Sequence, residues 1–363
     1  MNGPNWLDRS REASDLLSRG RTDDAILIFQ EVARANPRVP DAHNNLAVSL
    51  KTAGRLKEAV VSYRRALKLK PRLDVARLNL ARVLRSLGQH DQALTAFANA
   101  LRNTPDSEEL HFEIRITFLN MQFDRPSSAA REILLSFFQN TAKDLQPFAD
   151  PTTRLLLSNR RFQELVAAAE KAYPDGEPGR LLAPRELADP LLIAVLTWTI
   201  VPFPQIEAWI TLARRQLLNR VQRGERIVTS STLLWAMAAQ CQATELAQYV
   251  TPTERHAAFQ LVRTLGEDDV DKIAIAGMFL PLATVPAARD LARKIALEPG
   301  DRSPMHNVLL RTIINRDAER EIETGIQSLT SIEEETSLAV REHYEANPTQ
   351  DGCPWIGKSH RFP

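Results

Sequence analysis

Glycine recurs at residues 20, 54 and 88, a constant step of 34, and the first third of the chain keeps that step in other columns. Ala13, Ala47 and Ala81 repeat, as do Leu16, Leu50 and Leu84. So do Ala25, Ala59 and Ala93, and four residues beyond each stands an aromatic: Phe29, Tyr63, Phe97. Pro37, Pro71 and Pro105 close each unit. A period of this length belongs to a pair of helices stacked on copies of itself. Each column has a physical reason. The first alanine must be small where two helices cross closely. The glycine ends the first helix, where a left-handed cap residue is wanted. An alanine and an aromatic at i and i+4 share one face of the second helix, and the ring fills the groove to the next unit. The proline stops that helix before the following unit.

These columns resemble the tetratricopeptide repeat, a 34-residue helix–turn–helix unit. The resemblance implies an all-α solenoid of three repeats, with Ala13, Gly20, Ala25, Phe29, Pro37, Ala47, Gly54, Ala59, Tyr63, Pro71, Ala81, Gly88, Ala93, Phe97 and Pro105 as its structural signature. A degenerate fourth unit follows. Its first helix is expected from Glu108 to Met121, but Gln122, Ser127 and Arg131 stand in the glycine, alanine and aromatic columns. The resemblance also implies a concave groove lined by the first helix of each pair. Its inward column reads Arg11, Asn45, Asn79, Glu113, with Arg82 beside it. Asn45 and Asn79 look like the start of an asparagine ladder, since an amide both donates to and accepts from a peptide backbone. The two-carboxylate clamp of some relatives is absent: Ser10, Ser14, Val75 and Asn79 occupy its positions.

Composition agrees with helices. Thirteen glycines in 363 residues is about half the usual share of roughly 7%. The formal net charge is only +1, which disfavours nucleic acid as a partner. The charge is uneven, however: residues 1–105 hold 18 Lys/Arg against 10 Asp/Glu, and residues 265–346 hold 9 against 16. The densest basic cluster, Arg64, Arg65, Lys68, Lys70 and Arg72, ends a helix, where cations offset the dipole. It reads as a solvated face, with an acidic partner or the chain's own acidic half as alternatives. Cys241 and Cys353 lie far apart with no CxxC pair, so neither a metal site nor a disulfide framework is expected. The N-terminus lacks the apolar core of a secretory signal, and the run Leu191–Val201 is about half a membrane span. A cytoplasmic protein with no membrane association is the expectation.

Beyond residue 126 the period disappears while helix signals continue. Asp189-Pro190, Ser303-Pro304 and Ser331-Ile332-Glu333-Glu334 read as helix starts, and Thr251-Pro252-Thr253-Glu254 as a capping box. Helices are expected over Gln205–Val221 and Ser231–Val250. The domain reading is a repeat array over 6–125, a helical connector over 126–180, an all-helical domain over 181–348 and an irregular tail over 349–363. Four stretches are similar to the region preceding the catalytic domain in bacterial proteins that join tetratricopeptide repeats to a class I S-adenosylmethionine-dependent methyltransferase. They are Asp189 through Arg214-Arg215-Gln216-Leu217-Leu218, then Ala238 through Cys241 to Tyr249 and Glu254, then Pro281-Leu282 with Pro286, and Val340 through Pro348. The fifteen residues after Pro348 are too few for a Rossmann-type sheet. No cofactor residue of that family carries over.

No other chemistry emerges. The seven histidines show no metal-ligand spacing, and neither G-x-S-x-G, HExxH nor a phosphate loop occurs. The expectation is a non-enzymatic scaffold, without cofactor or metal, binding a protein or peptide in its groove. The alternative is the substrate-recruiting half of a methyltransferase whose catalytic domain is absent, truncated or carried by a separate chain. A repeat domain serving a glycosyltransferase rests only on the asparagine column.

Overall fold

The computed structural model describes residues 6–119, 121–139, 144–176, 181, 187–266, 268–296 and 303–318. Residues 1–314 form one compact unit and residues 315–363 a second, of which only 315–318 are described. The element starting at Ser331 and the stretch Val340–Pro348 lie outside the described residues. The described part is all-α, a helical solenoid continued by further packed helices.

Three hairpins open it: α1 (Trp6–Ser18) with α2 (Thr22–Ala35), α3 (Pro40–Thr52) with α4 (Leu56–Leu69), and α5 (Asp74–Ser86) with α6 (His90–Leu101). Each second helix also packs on the first helix of the next pair. The glycine column explains the turns. Gly20, Gly54 and Gly88 have φ of 76°, 74° and 71°, the left-handed region. In each turn the following residue's N–H reaches back to the leucine column: Arg21 to Leu16, Arg55 to Leu50 and Gln89 to Leu84, all at 2.9 Å. The glycine N–H bonds the carbonyl one residue further on, closing a Schellman motif. A Cβ at any of the three would meet nothing within 4 Å. Glycine is therefore required by conformation and not by space.

The signature alanines and aromatics are buried, including Tyr63, whose hydroxyl has no partner among the described residues. Burial pushes the Tyr63 phenol far above its ordinary value, against a smaller opposing effect of Arg82. The prolines are exposed, but their carbonyls are used. His43 contacts the Pro37 carbonyl at 3.1 Å, Arg77 bonds that of Pro71, and His111 contacts that of Pro105 at 2.6 Å. This 34-residue column, His–Arg–His, is invisible as a repeat because the residue type changes while the donor role stays.

The fourth pair, α7 (Glu108–Leu119) and α8 (Ser128–Gln139), departs from the register. Helix α7 ends two residues before the expected Met121. Without a left-handed residue at Gln122 the tight turn is not made: eight residues separate the two helices where three do in each earlier pair, and the inward register shifts by three. Ala130 and Leu134, both fully buried, take the inward places 37 residues after Ala93 and Phe97, not Ser127 and Arg131. Helix α8 packs mainly on α6. Phe148, from a short 3₁₀ turn at Gln146–Phe148, wedges against α8 and α7, stacked on Phe137 at 4.4 Å and edge-on to Phe118 at 6.5 Å. Arg131 is released to pair in bidentate fashion with Asp189 at 2.7 and 2.8 Å.

Asp189 caps α11 (Pro190–Trp198) through the Leu191 N–H, so that ion pair ties α8 to the first helix of the C-terminal half. The remaining helices are α9 (Ala149–Leu157), α10 (Arg160–Ala172), α12 (Pro204–Gln222), α13 (Ser231–Ala243), α14 (Pro252–Val262), α15 (Val270–Gly277), α16 (Pro286–Ile295) and α17 (Pro304–Leu309). Residues 233–241 of α13 are all buried, so it lacks a polar face and serves as the central helix, touching α11, α15 and α17. It ends at Ala243, seven residues short of the expected Val250. Glu245 and Leu246 there adopt φ of 52° and 60°, a left-handed turn written without glycine. The capping box at Thr251 and Glu254 and the cap at Ser303 form as expected.

Candidate functional site

The first helices of the pairs, α1, α3, α5 and α7, share one layer, and the candidate groove residues lie on their common register. Asn45 and Asn79 are half-buried on neighbouring helices. The Asn79 Oδ1 accepts from Lys51 Nζ at 3.2 Å, and the Asn45 Oδ1 accepts a long bond from Asn44 at 3.4 Å. Neither Nδ2 has a partner among the described residues. Each amide therefore spends its oxygen internally and keeps its two N–H donors.

Arg11 is exposed and only loosely paired with Asp8 at 3.4 Å. At the other end the charges are locked together. Glu113 is buried, accepting from Arg82 Nε at 2.8 Å and from Arg85 Nη1 at 2.6 Å. Arg82 also bonds Glu109 at 2.6 Å. Burial works against the Arg82 charge, but Glu109 and Glu113 raise its pKa above the ordinary arginine value. Two arginines a turn apart on α5 thus clamp two glutamates a turn apart on α7. The clamp fixes the spacing of these helices and removes Glu113 as a free carboxylate.

Apolar side chains that the sequence reading passed over stand on the same layer. Val75 is 63% exposed, Phe112 50% and Leu119 63%, with Ile116 half-buried between the last two. Phe112, Ile116 and Leu119 fall at i, i+4 and i+7, one stripe of α7. The signal was present in the spacing, but apolar residues at that spacing ordinarily face a core.

The second half supplies a different constellation. Arg214 of α12 is fully buried, donating to the Met278 carbonyl at 2.6 Å and the Tyr249 carbonyl at 2.7 Å, with its guanidinium 4.9 Å over the Phe279 ring. Next to it Arg215 binds the Glu254 carboxylate at 2.5 Å and the Pro174 carbonyl at 2.7 Å. Gln242 joins the Gly277 and Leu280 carbonyls and the Leu282 N–H. Burial raises the Glu254 pKa, but Arg215 and Thr251 together bring it below its ordinary value. Burial also pushes the Cys241 thiol up, which makes it inert as a nucleophile. These groups stitch α12 to α13, α14 and α15.

Clefts lie away from these groups. One of about 170 Å³ lies between α6, α7 and α8, lined by Leu101, His111, Ile133 and Phe137. Another, about 420 Å³, lies between α12, α14 and Lys272. Among the described residues no group of three His, Cys, Asp or Glu could hold a metal, and no helix is long and apolar enough to cross a membrane.

Residues 10–74 and 50–111 each match a family model of the tetratricopeptide repeat. The repeats of the first three helix pairs are of that type. Among solved structures, the MamA RS-1 ArsTM double mutant is similar at 20% identity, over 44% of this chain and 85% of that one, with a TM-score of 0.32. PilF of Pseudomonas aeruginosa is similar at 16% identity, over 74% of this chain and 94% of that one, with a TM-score of 0.30. No curated protein matches the chain.

Proposed function

We propose that residues 6–125 are the recognition array of a protein-interaction scaffold, holding an extended peptide or helix from a protein partner in the groove of α1, α3, α5 and α7. Tetratricopeptide repeats support interaction with proteins in general. One observation carries the finer reading: Asn45 and Asn79 keep unpartnered N–H donors at the same register of neighbouring helices. Such donors suit the carbonyls of a peptide backbone, whatever its side chains. Val75, Phe112 and Leu119 would then cover apolar side chains of the same partner. Calorimetry with a captured partner peptide tests this. Asn45→Ala with Asn79→Ala should weaken binding by about thirtyfold, from two net hydrogen bonds at ~1 kcal/mol each. Unchanged affinity would end the ladder reading.

A second reading makes the chain the substrate-recruiting half of an S-adenosylmethionine-dependent methyltransferase whose catalytic domain is separate. It draws on one observation: the stretches carrying that resemblance are bonded to one another, Arg214 to the Tyr249 carbonyl and Arg215 to Glu254, while Gln242, next to Cys241, accepts from the Leu282 N–H. A methyltransferase frame downstream of codon 363 would favour it. Clear thermal stabilisation of the chain by S-adenosylmethionine would overturn the non-enzymatic reading.

A further inference from the structure

The arginines of the repeat array are largely spent on carboxylates. Arg21, Arg55, Arg77 and Arg102 each hold one, and Arg9 holds two. The habit breaks in the turns, at Arg19, Arg38 and Arg72, and on one helix surface, the outward sides of α2 and α4. There Arg34, Arg65 and Lys68 are exposed and have no ion pair among the described residues, while Arg64 reaches only the neutral amide of Gln92 at 2.6 Å. The one acid of α4, Glu58, is held in bidentate fashion by Arg55. The buried row of α4 includes Ala59, Val60, Tyr63 and Ala66, so Val61, Arg64, Arg65 and Lys68 fall on its other side. Arg34 and Lys68 stand 34 residues apart at one register of the repeat. The row closes in the third pair, where Arg102 is bidentate to Glu132.

Charge alone would make this a solvated face, partly offset by the helix C-termini. Two apolar side chains argue for more. Leu27 on α2 and Val61 on α4, again 34 residues apart, are 59% and 68% exposed. Val61 lies one turn before Arg64 and Arg65 and two before Lys68. Solvation needs neither of these apolar groups beside a cluster of cations that repel one another. We infer that the outward face of α2 and α4 is a second docking surface, taking an acidic amphipathic helix of a partner protein. Its carboxylates meet Arg34, Arg64, Arg65 and Lys68, and its apolar side chains cover Leu27 and Val61. An anionic lipid surface fits less well, since no Trp or Tyr anchor accompanies the cations. Single-stranded nucleic acid lacks an aromatic platform there. This surface is separate from the groove, so either can fail without the other.

Fluorescence anisotropy on the full chain tests the inference. The probe is a synthetic helix of about 20 residues, roughly 30 Å long, with Glu and Leu at helical spacing. Its counterpart with Lys for Glu and phosphatidylglycerol–phosphatidylcholine vesicles are the comparisons. The acidic helix should bind and the basic one should not. Arg64→Glu, Arg65→Glu and Lys68→Glu together should weaken binding about tenfold or more, and added salt should do the same. Val61→Ser should weaken it about threefold, and Asn45→Ala with Asn79→Ala should leave it unchanged. Arg65→Ala with Lys68→Ala gives a smaller loss if the triple reversal does not fold. No binding of the acidic helix, binding that survives the reversal, or charge-dependent binding of vesicles alone would overturn the inference.

Discussion

Replacing Gly54 by alanine isolates a single physical term. The residue sits at φ of 74°, and a Cβ there would touch nothing within 4 Å, so no steric cost enters. What remains is the left-handed backbone, which costs an L-residue about 1–2 kcal/mol. The stiffer unfolded chain returns about 0.4–1 kcal/mol of that. Gly54→Ala should therefore destabilise the array by about 1 kcal/mol, read as a lower urea midpoint at unchanged m-value. Gly54→Asn should cost less, because asparagine tolerates the left-handed region. The same reasoning reverses at Glu245, whose φ of 52° already carries the strain: Glu245→Gly should be neutral to stabilising by up to about 1 kcal/mol. Gly277 gives the opposite control. Its added Cβ would come within 2.7 Å of Leu282 Cδ2, so its loss comes from overpacking. Equal losses for alanine and asparagine at position 54, or none for either, would refute the conformational account of the glycine column.

Other perturbations act on the same network of contacts. Tyr63→Phe restores the ring found at Phe29 and Phe97 and removes a buried hydroxyl without a partner. It should stabilise by about 1 kcal/mol in the same denaturation assay. A double-mutant cycle on Arg131 and Asp189 should show a coupling of about 1 kcal/mol, since the pair is bidentate and partly shielded. Glu254→Gln keeps a capping-box residue but strands Arg215, and should cost about 2–3 kcal/mol near neutral pH. The Glu254 pKa is depressed on folding, so its contribution is present above the ordinary value of 4.5 and lost as pH falls toward the folded-state value. The stability-against-pH curve of Glu254→Gln should accordingly converge on the parent's as pH falls through that range.

The regular part of the fold was legible because its causes are local. A left-handed glycine, a small residue at a crossing and a ring at i+4 each act within one repeat, so a fixed period exposes them together. Legibility failed where the cause lay at a distance. Counting by 34 put Arg131 in an aromatic column, but a longer turn shifted the register by three and moved Leu134 there, and the partner of Arg131 is 58 residues away. The end of α13 was missed because Glu245 and Leu246 make a left-handed turn with no glycine to announce it. In the groove, the asparagine register was readable from spacing, whereas its satisfaction was not. That Lys51 takes the Asn79 oxygen, and that Arg82 and Arg85 consume Glu113, depends on how neighbouring helices are set side by side. The exposed stripe of Phe112, Ile116 and Leu119 was hidden by its likeness to a core face.

The central claim is that the partner lies in the groove of α1, α3, α5 and α7. A photo-crosslinking amino acid placed at Asn79, in cells expressing the full chain, tests it most directly. Ala168, exposed on α10 and outside the repeat array, is the matched control. A discrete protein adduct from position 79 and none from position 168 is the predicted result. Equal adducts at both positions, or none at position 79, would contradict the claim.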